Sequence, residues 1–128
     1  MNLLRLTVVK AVANTALRWV APFLPVLESA FGATTGQMTT ILGVGEMSGL
    51  STAAVGGQLD RGRERAVMTL SLLAVAVSSL VSLVGTTFSF AVGFVLVVLG
   101  VANCTVAGHV YISHRVSYAE RGRSIGLY

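Results

Sequence analysis

The chain has 128 residues, of which 54% are hydrophobic and 11% are charged, and its mean hydropathy is +0.80. These values lie outside the range of ordinary soluble domains, whereas the length suffices for about four membrane spans of ~20 residues each. The net charge is +4, but the basic residues fall between apolar runs without interleaved aromatic residues. Membrane topology therefore explains them better than nucleic-acid binding. The single cysteine excludes an intrachain disulfide and a cysteine-ligated metal cluster.

Four apolar runs follow one another and predict an all-α membrane protein with a bundle of four transmembrane helices. The runs cover about 6–31, 38–59, 66–84 and 88–113. A further apolar pattern begins at about residue 124 and indicates the start of a fifth helix. We therefore expect one partial transmembrane domain over residues 1–128, with the lipid bilayer as its partner.

Basic residues mark one side of this predicted bundle. Eight of the nine lysines and arginines lie at the start of the first run, between the second and third runs, or after the fourth. The turns at 32–37 and 85–87 contain none. Because cytoplasmic loops are enriched in Lys and Arg, we expect the N-terminus and both charged segments in the cytoplasm. Arginine outnumbers lysine eight to one, which indicates a GC-rich bacterial genome and hence a bacterial cytoplasmic membrane.

Small residues recur every four positions on three of the predicted helices and predict faces where helices approach closely. The three sets are Gly45, Gly49, Ala53 and Gly57; Ala74, Ser78 and Ser82; and Gly100, Cys104 and Gly108.

Arg18 and Glu46 are charged residues inside predicted spans. Such a charge costs about 2.5–3.5 kcal/mol near the bilayer centre and usually faces a partner or a watery cavity. Counted from the outer helix ends at ~1.5 Å per residue, their depths differ by about 6 Å, within reach of an arginine side chain. We predict an Arg18–Glu46 pair or a shared polar cavity, with Asn14 one turn from Arg18 as a further member. Substrate or proton handling and a structural ion pair both fit this arrangement.

The segment Gly56–Arg65, named the loop motif below, carries five of the fourteen Asp, Glu, Lys and Arg residues within six positions. It resembles the cytoplasmic loop signature of the major facilitator superfamily, which reads Gly, three residues, Asp, a basic residue, any residue, Gly and two basic residues. The matching residues are Gly56, Asp60, Arg61 and Arg65. Arg63 and Glu64 stand where the signature has its second glycine and a basic residue.

The resemblance covers essentially the whole chain, as the first four helices of that fold and the beginning of the fifth. It implies a secondary active transporter for a small molecule, with export as the expected direction and protons as the candidate coupling ion. It also implies that the loop motif helps to close the cytoplasmic side. Because such transporters consist of two six-helix halves, we expect an N-terminal fragment that does not transport alone.

Two alternatives remain open at this stage. One is a small four-helix exporter that acts by self-assembly, similar to the small multidrug resistance exporters, and the other is a structural membrane subunit. The sequence has no nucleophile–base constellation, phosphate loop or metal-ligand spacing, so we expect no enzyme activity, catalytic residue, metal or cofactor.

Overall fold

The computed structural model describes residues 3–128, which form seven α-helices and one short 3₁₀ helix. The α-helices are α1 Leu3–Arg18, α2 Leu24–Phe31, α3 Thr35–Ser48, α4 Thr52–Leu59, α5 Glu64–Ser82, α6 Thr87–Arg115 and α7 Tyr118–Leu127, and the 3₁₀ helix is Gly49–Ser51. Residues 3–128 contain no strand, which confirms the all-helical prediction.

Local turn chemistry sets several helix ends. The Thr34 hydroxyl accepts from the Gln37 N–H at 3.2 Å, while the Gln37 side chain accepts from the Thr34 N–H at 3.0 Å, which starts α3 with a capping box. Thr86 and Ser89 form the same arrangement at the start of α6. Gly32 ends α2 at a φ of +62°, a left-handed conformation that favours glycine. These caps satisfy backbone groups that the helix ends would leave unpaired.

The structure interrupts the first two apolar runs, where hydropathy predicts single helices. The first run divides between α1 and α2, and Pro22, which has no N–H to donate, lies in the intervening turn. The second run passes from α3 through the 3₁₀ helix to α4. Hydropathy measures composition only, so it cannot detect a break inside an apolar segment.

Two helices of the described part of the chain, α5 and α6, are long and apolar enough to cross a membrane by length and composition. Each of α1 to α4 is shorter than 18 residues because of the breaks in the first two runs. The number of transmembrane spans therefore stays a prediction for the first half of the chain.

Helix α6 lies at the centre of the bundle, where it contacts α1, α3, α4, α5 and α7. Half of its most apolar window is buried, against 17% for α5, so α5 leaves most of its apolar surface free to face lipid. The buried residues of α6 contribute to two hydrophobic clusters. One cluster includes Ala13, Met38, Phe90, Phe94 and Val98, and the other includes Leu6, Leu59, Met68, Ala107 and Ile112.

Close approach between α5 and α6 depends on glycine. A Cβ atom at Gly100 would lie 2.6 Å from the Ser71 carbonyl oxygen and 2.6 Å from Val75 Cγ2. In the second apolar run, Gly49 of the 3₁₀ helix also faces α6. Gly57 of α4, in contrast, has no atom within 4 Å of its Cβ position. The small-residue pattern therefore coincides with helix contacts at some positions and with open surface at others.

Replacing Gly100 with alanine is expected to destabilise the fold by about 1–3 kcal/mol, because α5 backbone occupies the space that the new methyl group needs. The midpoint of thermal unfolding in detergent, followed by circular dichroism, measures this effect. Gly43→Ala is the matched control, since Gly43 is an exposed helical glycine with no atom within 4 Å. We expect Gly43→Ala to leave the midpoint unchanged or raise it. Equal midpoints for the two variants would contradict the packing argument.

Candidate functional site

A cavity of about 700 Å³, named the polar cavity below, lies between α1, α3 and α6. Its polar lining residues are Asn14, Arg18 and Glu46. Apolar side chains, including those of Leu17 and Phe94, form other parts of its wall. The three polar candidates from the sequence therefore meet at one place, although they lie on two different helices.

The fold brings these residues together through helix spacing and one close helix contact. Asn14 and Arg18 are four residues apart and so lie on the same face of α1, which packs against α6. Glu46 directly follows Gly45, and a Cβ atom at Gly45 would collide with the Phe94 ring of α6. The missing side chain at Gly45 thus allows α3 to approach α6 beside the cavity.

The two charges of the polar cavity are not paired with each other. Within residues 3–128, neither the Arg18 guanidinium nor the Glu46 carboxylate has a hydrogen-bond or ion-pair partner, and both residues are exposed. Of the two arrangements left open above, the structure has the shared cavity. A guanidinium can hold a carboxylate or phosphate through two parallel hydrogen bonds, and a carboxylate can take up a proton or accept from an ammonium group.

The loop motif is exposed at its first half. The side chains of Asp60 and Arg61 are exposed and have no hydrogen-bond or ion-pair partner among residues 3–128. The Cβ positions of Gly56 and Gly57 face open space. This part of the loop motif therefore presents exposed charged side chains next to a helix face that lacks side chains at two glycines.

The second half of the loop motif is bound to the end of α6. His114 Nδ1 lies 3.0 Å from Glu64 Oε1, and Glu64 is 6% exposed although it is an acid. Both residues lie outside the apolar runs 66–84 and 88–113. Backbone hydrogen bonding at the start of α5, followed by the His114 contact, lowers the pKa of Glu64 from its usual value.

A second contact joins the same two segments. The Arg65 guanidinium lies close to the Tyr111 hydroxyl of α6. Within α6, the Arg115 guanidinium lies over the Tyr111 ring at 5.2 Å from its centroid. Arg65, which matches the last basic position of the signature, therefore lies beside α6 of the same bundle.

Residues 6–128 match the family model described as Major Facilitator Superfamily. The chain belongs to the major facilitator superfamily. Its members are membrane transporters for small molecules and not enzymes, which confirms membrane transport as the broad function. No curated protein and no solved structure matches the chain. The matched region includes both the polar cavity and the loop motif.

The superfamily signature expects its second glycine at position 63, and the structure explains the departure. Gly62 has a φ of +72° and its N–H donates to the Leu59 carbonyl oxygen at 2.9 Å, while Arg63 has a φ of −96°. The left-handed turn residue is therefore Gly62, one place earlier than in the signature. A side chain at position 63 is tolerated because the turn is already complete.

Sequence reasoning missed His114 and Tyr111 as partners of the loop motif. They lie about 50 residues along the chain from Glu64 and Arg65, so no local pattern links them. One signal was present, since Glu64 reverses the charge expected by the superfamily signature and a histidine follows the fourth apolar run. Both segments were predicted on the same membrane side, where opposite charges attract.

Proposed function

We propose that the chain forms the first transmembrane helices of a secondary active transporter and that the polar cavity is part of its substrate and proton pathway. The observation that carries this proposal is that Asn14, Arg18 and Glu46 line one cavity without pairing with each other. Secondary transporters bind substrate and ions near the midplane, typically beside discontinuous helices. Helix α1 ends at Arg18, and α3 gives way to the 3₁₀ helix three residues after Glu46.

In this proposal, the interrupted helices α1–α2 and α3–α4 form two spans in addition to α5 and α6. Residues 35–59 stay in the right-handed helical region through the 3₁₀ helix and provide about 25 residues, more than the ~20 that a span needs. The elements α1 and α2, joined by the turn at 19–23, form the first span in this proposal. Together with α5 and α6 they give four spans, and α7 leads into a fifth.

We place the N-terminus and both charged segments on the cytoplasmic side of a bacterial membrane. The basic residues of the chain concentrate in these segments. The Glu64–His114 contact supports a common side for the two charged segments, because it requires the loop motif and the end of α6 to lie on the same side. Export of a small molecule, coupled to protons, is the proposed direction of transport.

Two six-helix halves form the complete transporter fold, so we propose that transport requires further helices. The genomic DNA that follows the codon for Tyr128 tests this point. In-frame coding for more transmembrane helices would support the N-terminal part of a longer transporter. A stop codon followed by an unrelated gene would instead favour a small self-assembling exporter.

Cysteine accessibility tests whether the polar cavity is a water-filled pathway in the membrane. We expect Asn14→Cys to react with a membrane-impermeant thiol reagent in intact membranes, because the cavity supplies the water that the reaction needs. The native thiol of Cys104 is 2% exposed and gives little background.

Val12→Cys is the matched control on the same helix. Val12 is 63% exposed but does not line the cavity, so in a membrane it faces hydrocarbon and its cysteine is expected to stay unlabelled. If Asn14→Cys reacts no faster than Val12→Cys, the polar cavity is not a water-filled pathway and the proposal is wrong.

A further inference from the structure

We propose that the polar cavity binds a zwitterion, meaning a small molecule that carries both a carboxylate and an ammonium group. This inference rests on the proposed function, because it names the substrate class of the same cavity. Its basis is the combination of two unpaired, opposite charges with apolar walls in one half-open cavity.

The charge balance of the lining favours a ligand without net charge. Arg18 contributes one positive charge and Glu46 one negative charge, and the other lining residues are neutral. A ligand with a single charge would pair with one of these residues and leave the other unpaired. An unpaired charge inside a membrane protein is costly, whereas a zwitterion offers a partner to each.

The geometry of the cavity favours a ligand placed between the charges over direct pairing. Arg18 and Glu46 line a common space of about 700 Å³ and form no ion pair with each other. The planar guanidinium matches a carboxylate through two parallel hydrogen bonds, and the Glu46 carboxylate accepts from an ammonium group. The Asn14 amide lies one turn from Arg18 and supplies further donors and an acceptor.

The remaining walls select an aliphatic body for the ligand. Leu17, Leu42 and Phe94 line the cavity with apolar surface. An α-amino acid with a branched aliphatic side chain joins the two charged groups to such a body. L-Leucine is therefore the probe, L-leucinamide keeps its ammonium group alone, and 4-methylpentanoate keeps its carboxylate alone.

The test is a binding measurement on the 128-residue chain in lipid nanodiscs, with radiolabelled L-leucine and the two analogues as competitors. We expect L-leucine to bind about tenfold more tightly than either analogue, since each analogue loses one charge-assisted contact. Circular dichroism confirms that each variant is folded.

Substituting each lining charge should remove the preference for L-leucine over a different analogue. In Arg18→Gln, L-leucine is expected to lose its advantage over leucinamide, and in Glu46→Gln it is expected to lose its advantage over 4-methylpentanoate. Arg18→Lys keeps the charge and should retain the preference for L-leucine, which controls for misfolding. Glu28→Gln is the matched acid control, because Glu28 accepts from Thr35 at 3.2 Å and does not line the cavity.

The outcomes separate this inference from the proposed function. An analogue that binds as tightly as L-leucine, with affinity dependent on Arg18 or Glu46, overturns the zwitterion and leaves the transport cavity in place. Absence of binding by all three compounds, with Asn14→Cys still labelled, also overturns the zwitterion alone. Absence of binding together with an unlabelled Asn14→Cys overturns both.

Discussion

Replacing Glu46 with glutamine is expected to abolish proton movement coupled to substrate. Glutamine keeps the shape and polarity of the side chain but cannot take up or release a proton. Among the residues that line the polar cavity, Glu46 carries the one carboxyl group, while Arg18 stays charged and the others do not ionise. No neighbouring group in that lining can therefore substitute for it, and the expected loss is complete.

The measurement uses protein expressed from the complete reading frame, reconstituted into liposomes that contain a pH-sensitive dye. The tightest-binding compound of the leucine series serves as the substrate, and the rate of internal pH change is recorded. Glu46→Asp keeps an ionisable carboxyl and is expected to retain coupling, and Glu28→Gln is expected to behave as the wild type. Proton movement at the wild-type rate in Glu46→Gln would show that the carboxyl has no role in coupling.

The polar cavity shows how much of a site in a membrane protein the sequence can predict. A charge inside an apolar run is conspicuous, and helical spacing places Asn14 beside Arg18. Counting residues from the turn at 32–37 then brings Glu46 to a similar depth. The choice between a direct ion pair and a shared cavity could not be made from the sequence, because the cavity walls depend on α6, whose Phe94 packs against the bare backbone at Gly45.

The breaks in the first two runs mark the limit of hydropathy. The pattern locates α5 and α6 to within a few residues, because their apolar character and helical propensity agree. It does not reveal the turn at 19–23 or the 3₁₀ helix at Gly49–Ser51. A hydrogen bond of 3.1 Å from Asn103 to Ser51 accompanies the second break, and this contact spans 52 residues of sequence. The second break therefore coincides with a tertiary contact that a local pattern does not contain.

Removing the imidazole of His114 is expected to destabilise the fold by about 1–3 kcal/mol, because the buried carboxylate of Glu64 loses a hydrogen-bond donor. Thermal unfolding of His114→Ala in detergent, followed by circular dichroism, measures the loss. A double-mutant cycle with Glu64→Gln isolates the pair from the other effects of each substitution. We expect the double variant to be more stable than the sum of the two single losses predicts. Strict additivity would mean that the contact contributes nothing.

The lowered pKa of Glu64, caused first by backbone hydrogen bonding at the start of α5 and then by the His114 contact, predicts how stability depends on pH. Because the folded state lowers the pKa of Glu64, the unfolded state binds more protons as the pH falls through the range below about 4.5. The stabilisation is therefore fully present above that range and is lost as the pH falls through the folded-state pKa. Glu64→Gln removes the titrating group and should flatten this part of the profile, whereas Glu120→Gln, at an exposed acid near the same membrane face, should not. An unchanged acid profile in Glu64→Gln would contradict a lowered pKa of Glu64 in the folded state.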